Sequence, residues 1–320
     1  MAIISVITPT YNNQATIALS IESLLNQTFT NFELIIINDG SQDATLDIVS
    51  KIQDSRIKIF SYPNSGSSVS RNRGISHAVG EFISFLDADD LWTPDKLSSQ
   101  LSALYSNPNA AVAYSWTDHI DDDGKFLCPG THVTASGDVL PKLLVMNFIE
   151  NGSNPLIRRE ALIAVGEFDP SLVAGQDWDM WLRLAARYHF VAVPSPQILY
   201  RISHKSHSSN LPRQQKYCVQ LLDRAFSQAP ASLQHLKPQS MANLYKYLTW
   251  KAVQEPYQRQ KCQDGARFLW KYVAHDSGRF QHLRLTLILL FKIVVVLLLP
   301  ANQASLFLNN IKKIRRNAIT

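Results

Sequence analysis

Through residue 116 the chain alternates short apolar runs with segments of helical spacing. Residues 3–8, 32–37, 57–62, 82–86 and 111–116 are apolar without strict alternation, as strands buried on both faces are. Residues 16–27, 43–52, 68–79 and 94–106 instead repeat apolar positions three and four apart, as at Ile17, Ile21, Leu24 and Leu25. Strand and helix in turn, joined by short connections, predict an α/β fold with a mainly parallel sheet and right-handed crossovers.

Past residue 116 the pattern weakens. Asp121-Asp122-Asp123-Gly124 reads as a solvated turn, because the spacing and closing Glu of a calcium loop are missing. Gly175-Gln176-Asp177 opens a helix whose face carries Trp178, Trp181, Leu182 and Ala185. From Leu211 onward the chain reads as helical, with breaks at Pro230, Pro238 and Pro256. Residues 285–299 are nearly all apolar, yet as a helix they would span about 22 Å, short of the ~30 Å hydrocarbon core. Lys292 in their middle also opposes a full span. An interfacial helix is expected, a buried core helix being the alternative.

Charge sharpens this division. Hydrophobic residues make up 46% and charged residues 18%, ordinary for a globular chain, and the net charge is +5. Residues 1–200 hold 12 basic and 22 acidic residues (net −10), whereas residues 201–320 hold 19 and 4 (net +15). The basic end suits peripheral contact with an anionic membrane surface. No recognised nucleic-acid motif accompanies it, which argues against a nucleic-acid partner. Cys128, Cys218 and Cys262 match neither a disulfide framework nor zinc spacing, as expected of a reducing compartment. The N-terminus runs directly into a strand without a basic n-region, so no secretory signal is predicted. A cytoplasmic location follows, at the cytoplasmic face of the membrane.

Polar residues gather where strands end: Thr8, Pro9 and Tyr11 after the first, Asp39 after the second, Asp87 and Asp89 after the fourth. In parallel strands these share one rim, where open α/β sheets bind ligands. Asp87, Asp89 and Asp90 repel one another unless a hard divalent cation, itself bridging phosphates, lies among them. Capping of the following helix by Asp89 or Asp90 is the equal alternative. Asp177 is either a first-turn acid on the helix dipole or a general base. The first turn lacks Gly-x-Gly-x-x-Gly, which argues against a dehydrogenase.

Six segments in register resemble the family 2 glycosyltransferases of GT-A fold: Ser5-Val6-Ile7-Thr8-Pro9-Thr10-Tyr11-Asn12, Asn38-Asp39-Gly40-Ser41, Ser70-Arg71-Asn72-Arg73-Gly74, residues 80–90 ending in Asp87-Ala88-Asp89-Asp90, Val165-Gly166-Glu167-Phe168-Asp169, and residues 177–184. The family's acid-acid pair is Gln176-Asp177 here. The resemblance implies a GT-A catalytic domain over residues 1–210; the basic helical region over 211–320, with its candidate membrane-associating segment at 283–299, is read from its composition and apolar pattern. The resemblance also implies that Thr8, Pro9, Tyr11, Asp39, Arg71, Asp87 and Ala88 hold a nucleotide-sugar, a UDP-sugar by preference. Asp89 and Asp87, with His204 as a third candidate, would bind Mg2+ or Mn2+, and Asp177 would be the catalytic base. The implied reaction is inverting transfer to a saccharide or lipid-linked acceptor in cell-surface polysaccharide biosynthesis. No Gln-x-x-Arg-Trp motif follows Asp177, so transfer is expected to be non-processive. A non-catalytic nucleotide-sugar-binding scaffold at the membrane and a nucleotidyltransferase are the competing readings, the latter lacking a Gly-rich, Lys-bearing loop.

Overall fold

A computed structural model describes residues 2–203, 210–276, 278 and 282–317. The chain divides into two compact units, one of Met1–Leu143 and Asn147–Ser206, the other of Leu144–Met146 and His207–Thr320.

The first unit is built on a sheet of nine strands among the described residues. β1 (Ile4–Thr10), β2 (Phe32–Asn38), β3 (Ile57–Ser61) and β4 (Phe82–Phe85) alternate with α1 (Ile17–Leu25), α2 (Thr45–Ser50) and α3 (Ser67–His77). β5 (Leu91–Trp92), α4 (Lys96–Ser106), β6 (Ala110–Ile120), β7 (Phe126–Pro129), α5 (Leu140–Val145), β8 (Leu156–Arg158), α6 (Arg159–Val165), α7 (Gln176–Ala185) and β9 (His189–Arg201) follow. The sheet order is β3-β2-β1-β4-β8-β6-β9-β5, with β7 beside β6. All seven residues of β2 are buried, as befits a strand covered on both faces. Edge strand β3 keeps only partial cover.

Strand direction decides what meets what. β3, β2, β1 and β4 are mutually parallel. β8 runs antiparallel to β4, and β6 antiparallel to β8, so β6 again points the same way as β4. The carboxyl ends of β1, β2, β4 and β6 therefore share a rim with the amino end of β8. Turns at the rim follow ordinary chemistry: Asp121 accepts the N–H groups of Asp123 and Lys125, and Gly124 takes the left-handed φ of 81°.

The second unit is helical: α8 (Leu211–Gln228), a 3₁₀ turn at Ala231–Leu236, α9 (Lys237–Ala252), α10 (Arg259–His275), α11 (Leu283–Leu298) and α12 (Ala301–Asn317). Pro238, expected to break a helix, opens α9 instead, because the first turn needs no N–H from it. α11 is neither a wholly buried core helix nor a span. It buries Leu289, Ile293, Val295 and Val296 and exposes Leu283, Leu287, Leu290, Phe291 and Leu298. Among the described residues no helix is long and apolar enough to cross a membrane.

Candidate active site at the carboxyl rim

The loops after β1 and β2 are stitched together. Asn12 N–H donates to Ser41 Oγ at 3.1 Å, and Gln42 N–H donates to Asn12 Oδ1 at 2.8 Å. Tyr11 is 42% exposed beside them. Asp39 is buried, its carboxylate accepting the N–H groups of Ser65 (2.9 Å) and Gly66 (2.8 Å) and Arg73 Nη1 (3.3 Å). Gly66 reaches this position at φ 88°, open to glycine, and leads into α3. Pro9 lies within β1 opposite Ile37. Thr8 is buried and its Oγ1 has no hydrogen-bond partner.

One helical turn into α3, Arg71 is buried, and its Nη2 meets Asp87 Oδ1 at 2.6 Å. Its guanidinium lies 5.5 Å from the Phe168 ring, and its Nε has no partner. Burial opposes the Arg71 charge, but the carboxylates of Asp87 and then Asp177 outweigh it and hold the guanidinium above its ordinary range. Asp177 stands in the first turn of α7, after Gly175 in the left-handed region. Burial pushes its carboxyl up; Arg71 pulls it down and Asp87 adds repulsion. Arg71, Asp87 and Asp177 thus feel one another, although 106 positions separate Arg71 from Asp177. Gln176 turns instead to α3, its Nε2 3.3 Å from Ser67 Oγ.

The other two acids of the cluster have separate roles. Burial and then the Asp87 charge raise Asp89 to about 6. Asp90 is fully buried and accepts Ser153 Oγ at 2.5 Å and Arg201 N–H at 3.1 Å. Neither caps the next helix: Asp95 occupies the N-cap position of α4. Ala88 turns its methyl into the core cluster with Leu86 and Trp92.

Sequence reasoning missed the segment that closes this site from the β8 side. Ser153 Oγ also accepts Asp87 N–H at 3.0 Å. A Cβ on Gly152 would lie 2.9 Å from Arg71 Nη2 and 3.3 Å from Asp87 Oδ2. Arg201, ending β9, donates to the carbonyls of Asp89, Asp121 and Asp122 at 2.9, 2.8 and 2.7 Å. The available signal was Asn151-Gly152-Ser153-Asn154-Pro155, a cluster of turn formers directly before a strand.

Two rim carboxylates, Asp87 and Asp89, are available to a cation. Among the described residues no group of three His, Cys, Asp or Glu side chains is arranged to hold one. His204 lies outside the described residues. Two neighbouring carboxylates, one raised by burial and by the other's charge, fit a hard divalent ion, which prefers oxygen ligands. Buried orphan groups on Thr8 and Arg71 fit a polar ligand at the same rim. Two cavities among the described residues lie in the helical unit, one lined by Pro212, Asp264, Arg267 and Phe268 and the other by Tyr257, Arg259 and residues 296–300. Convergent charge marks the rim.

The family described as "Glycosyltransferase like family 2" matches residues 5–252, and the chain belongs to it. It is 32% identical over 217 residues to the Escherichia coli UDP-Glc:alpha-D-GlcNAc-diphosphoundecaprenol beta-1,3-glucosyltransferase WfgD, across 65% of this chain and 80% of that protein. An uncharacterized glycosyltransferase of Rickettsia bellii is 35% identical over 185 residues, 58% of this chain. The chain spans only 26% to 36% of the length of such rickettsial relatives. Among solved structures, S. aureus TarS 1-349 is similar at TM-score 0.64 and 17% identity, across 93% of this chain and 90% of that one. The same protein has been solved with UDP and with UDP-GlcNAc. The mannosyltransferase PcManGT from Pyrobaculum calidifontis, in complex with GDP-Man and Mn2+, is similar at TM-score 0.58 and 18% identity, across 92% and 87%. These likenesses show a GT-A-like fold.

Proposed function

We propose that this protein is a metal-dependent, inverting, non-processive glycosyltransferase that moves a sugar from a UDP-sugar to a hydroxyl of a saccharide or lipid-linked acceptor in polysaccharide biosynthesis. The observation that carries the reading is the Arg71–Asp87 ion pair, with Asp177 close enough for its carboxylate to reinforce the Arg71 charge. Tyr11 would stack on the base and Asp39 would accept its ring N–H, with Thr8 and Pro9 beneath. Asp87 and Asp89 would hold Mg2+ or Mn2+, which supplies charge neutralisation for the diphosphate. Arg71 adds fixed positive charge where the leaving group develops its own negative charge.

Asp177 takes the proton of the acceptor hydroxyl while that oxygen bonds to the anomeric carbon. The bond from that carbon to the diphosphate oxygen breaks, and its electron pair leaves with the diphosphate. Attack from the opposite face inverts the anomeric centre. Burial raises the Asp177 carboxyl toward the basicity this needs. The name of WfgD and the UDP complexes of TarS support a UDP-sugar donor and a lipid-diphosphate acceptor.

The test is transfer from UDP-glucose to an undecaprenyl-diphosphate GlcNAc acceptor, with Mn2+ and with EDTA. Asp177→Asn should lower kcat by about 10²–10⁴ while UDP still binds, and Asp89→Ala should abolish the metal response. Equal metal-dependent turnover by wild type and both variants would refute the assignment.

Peripheral attachment at the cytoplasmic membrane face belongs to the same proposal. Its support is the exposed apolar side of α11, together with Trp270 at 77% and Leu298 at 76% exposure, in a region of net charge +15. Co-sedimentation with phosphatidylglycerol vesicles should fall when residues 281–320 are removed; unchanged partition would exclude it.

A further inference from the structure

A second group of side chains on the same rim has no part in the reaction described above. The His132 ring stacks on Trp116 of β6, with centroids 4.7 Å apart and planes 10° apart. His132 Nε2 and Asp118 Oδ1 are 2.8 Å apart. Glu150 Oε1 accepts Thr131 N–H at 3.0 Å, and burial pushes its carboxyl up to about 7. Trp116 Nε1 is buried and has no hydrogen-bond partner. Among the described residues only Asn12, His132 and Glu150 hold positive φ without being glycine, and two of these three belong to this group. Such strain persists only where surrounding structure enforces it, and it gathers at functional sites.

Its position is tied to the reaction centre. Glu150 is two residues from Gly152, which abuts the Arg71–Asp87 pair, and two residues of chain span at most about 7 Å. Asn151 between them donates to Thr117 Oγ1 of β6 at 3.0 Å. In the sheet order, Thr8, Pro9 and Asp39 lie on the β1 and β2 side of β4, while Trp116 and Asp118 lie on the opposite, β6 side. The nucleotide-side residues and this group therefore flank Asp87 from two directions.

We infer that Trp116, His132, Asp118 and Glu150 form an acceptor subsite that binds a pyranose ring. The inference rests on the glycosyl-transfer reading. The chemistry suits that ligand: the partly exposed Trp116–His132 stack offers an aromatic surface to the C–H face of a sugar, and carboxylate oxygens accept from hydroxyl groups. A few polar groups converging on an aromatic wall also describe small-molecule sites in general.

The experiment is saturation-transfer NMR on the full-length protein with methyl glycosides of glucose, N-acetylglucosamine and galactose, alongside thermal stabilisation by UDP with Mn2+. At least one glycoside should receive saturation from wild type. Trp116→Ala and Glu150→Gln should weaken its binding at least tenfold with the UDP shift unchanged; Glu150→Gln keeps the side-chain shape if Trp116→Ala fails to fold. No saturation transfer from wild type, or undiminished transfer in both variants, overturns the subsite. Glycoside binding that is lost in the variants, without any UDP shift in wild type, supports the subsite and counts against the donor reading alone.

Discussion

Asn72 and Phe168 exchange two hydrogen bonds across 96 positions of sequence. Asn72 Nδ2 donates to Phe168 O and Phe168 N–H donates to Asn72 Oδ1, both at 2.9 Å. The pair ties α3, which carries Arg71, to the loop ahead of α7, which carries Asp177. Arg183 anchors that loop from behind, donating to the carbonyls of Val165, Gly166 and Glu167. Removing the amide leaves a main-chain N–H and C=O unpaired, at a cost of about 1–3 kcal/mol. Asn72→Ala should lower stability on that scale in urea titration and lower kcat more than it alters the KM for donor.

Gly152 is required by the room it leaves. Gly152→Ala places a methyl 2.9 Å from Arg71 Nη2, so the guanidinium or the loop must shift. Displacements of this kind at a reacting centre cost about 10²-fold. The expected outcome is a kcat reduced at least tenfold with Tm altered by only a few degrees. A Tm collapse would show that the loop, and not the ion pair, absorbs the methyl.

Asp90 belongs to the scaffold, since Ser153 Oγ and Arg201 N–H consume its oxygens. Burial, followed by the charges of Asp89 and Asp87, raises its carboxyl well above the ordinary range. A neutral isostere should therefore serve. Asp90→Asn is expected to stay within about 1 kcal/mol of wild type, whereas Asp90→Ala should lose about 1–3 kcal/mol by unpairing those donors. Chemical denaturation of the two variants side by side checks it.

Lys96 is fully buried, with Nζ 2.6 Å from Ser84 Oγ and 3.8 Å from the Trp92 ring centroid. Burial lowers its pKa well below the ordinary 10.5, and the indole face offsets only part of this. The unfolded chain then binds more protons at this position, so its contribution to stability rises with pH up to about 10. Lys96→Met should be more stable than wild type at pH 7, by about 1–3 kcal/mol. The difference should shrink as pH approaches 10. A gap that stays constant from pH 7 to 10 would show that the amine is charged in the fold.

The first four strands were legible to within a residue or two, because a buried parallel strand needs an unbroken apolar run and such runs are visible in one dimension. The acids at their ends were legible for the same reason: Asp39 and Asp87 mark where the runs stop. β9 was not, since Pro194 and Pro196 interrupt its thirteen residues and its register against β6 shifts there. β5 and β8, at two and three residues, are too short to show any period.

Periodicity reports that a face is buried, never which distant segment buries it. The sequence by itself therefore determined the alternating elements, the rim and the residue types placed on it. Only the tertiary structure decided that Asp177 stands with Arg71 and Asp87, that Asp90 serves the scaffold, and that residues 150–153 close the site. Those outcomes depend on backbone hydrogen bonds and charge pairings between residues tens to a hundred positions apart, which local pattern cannot encode.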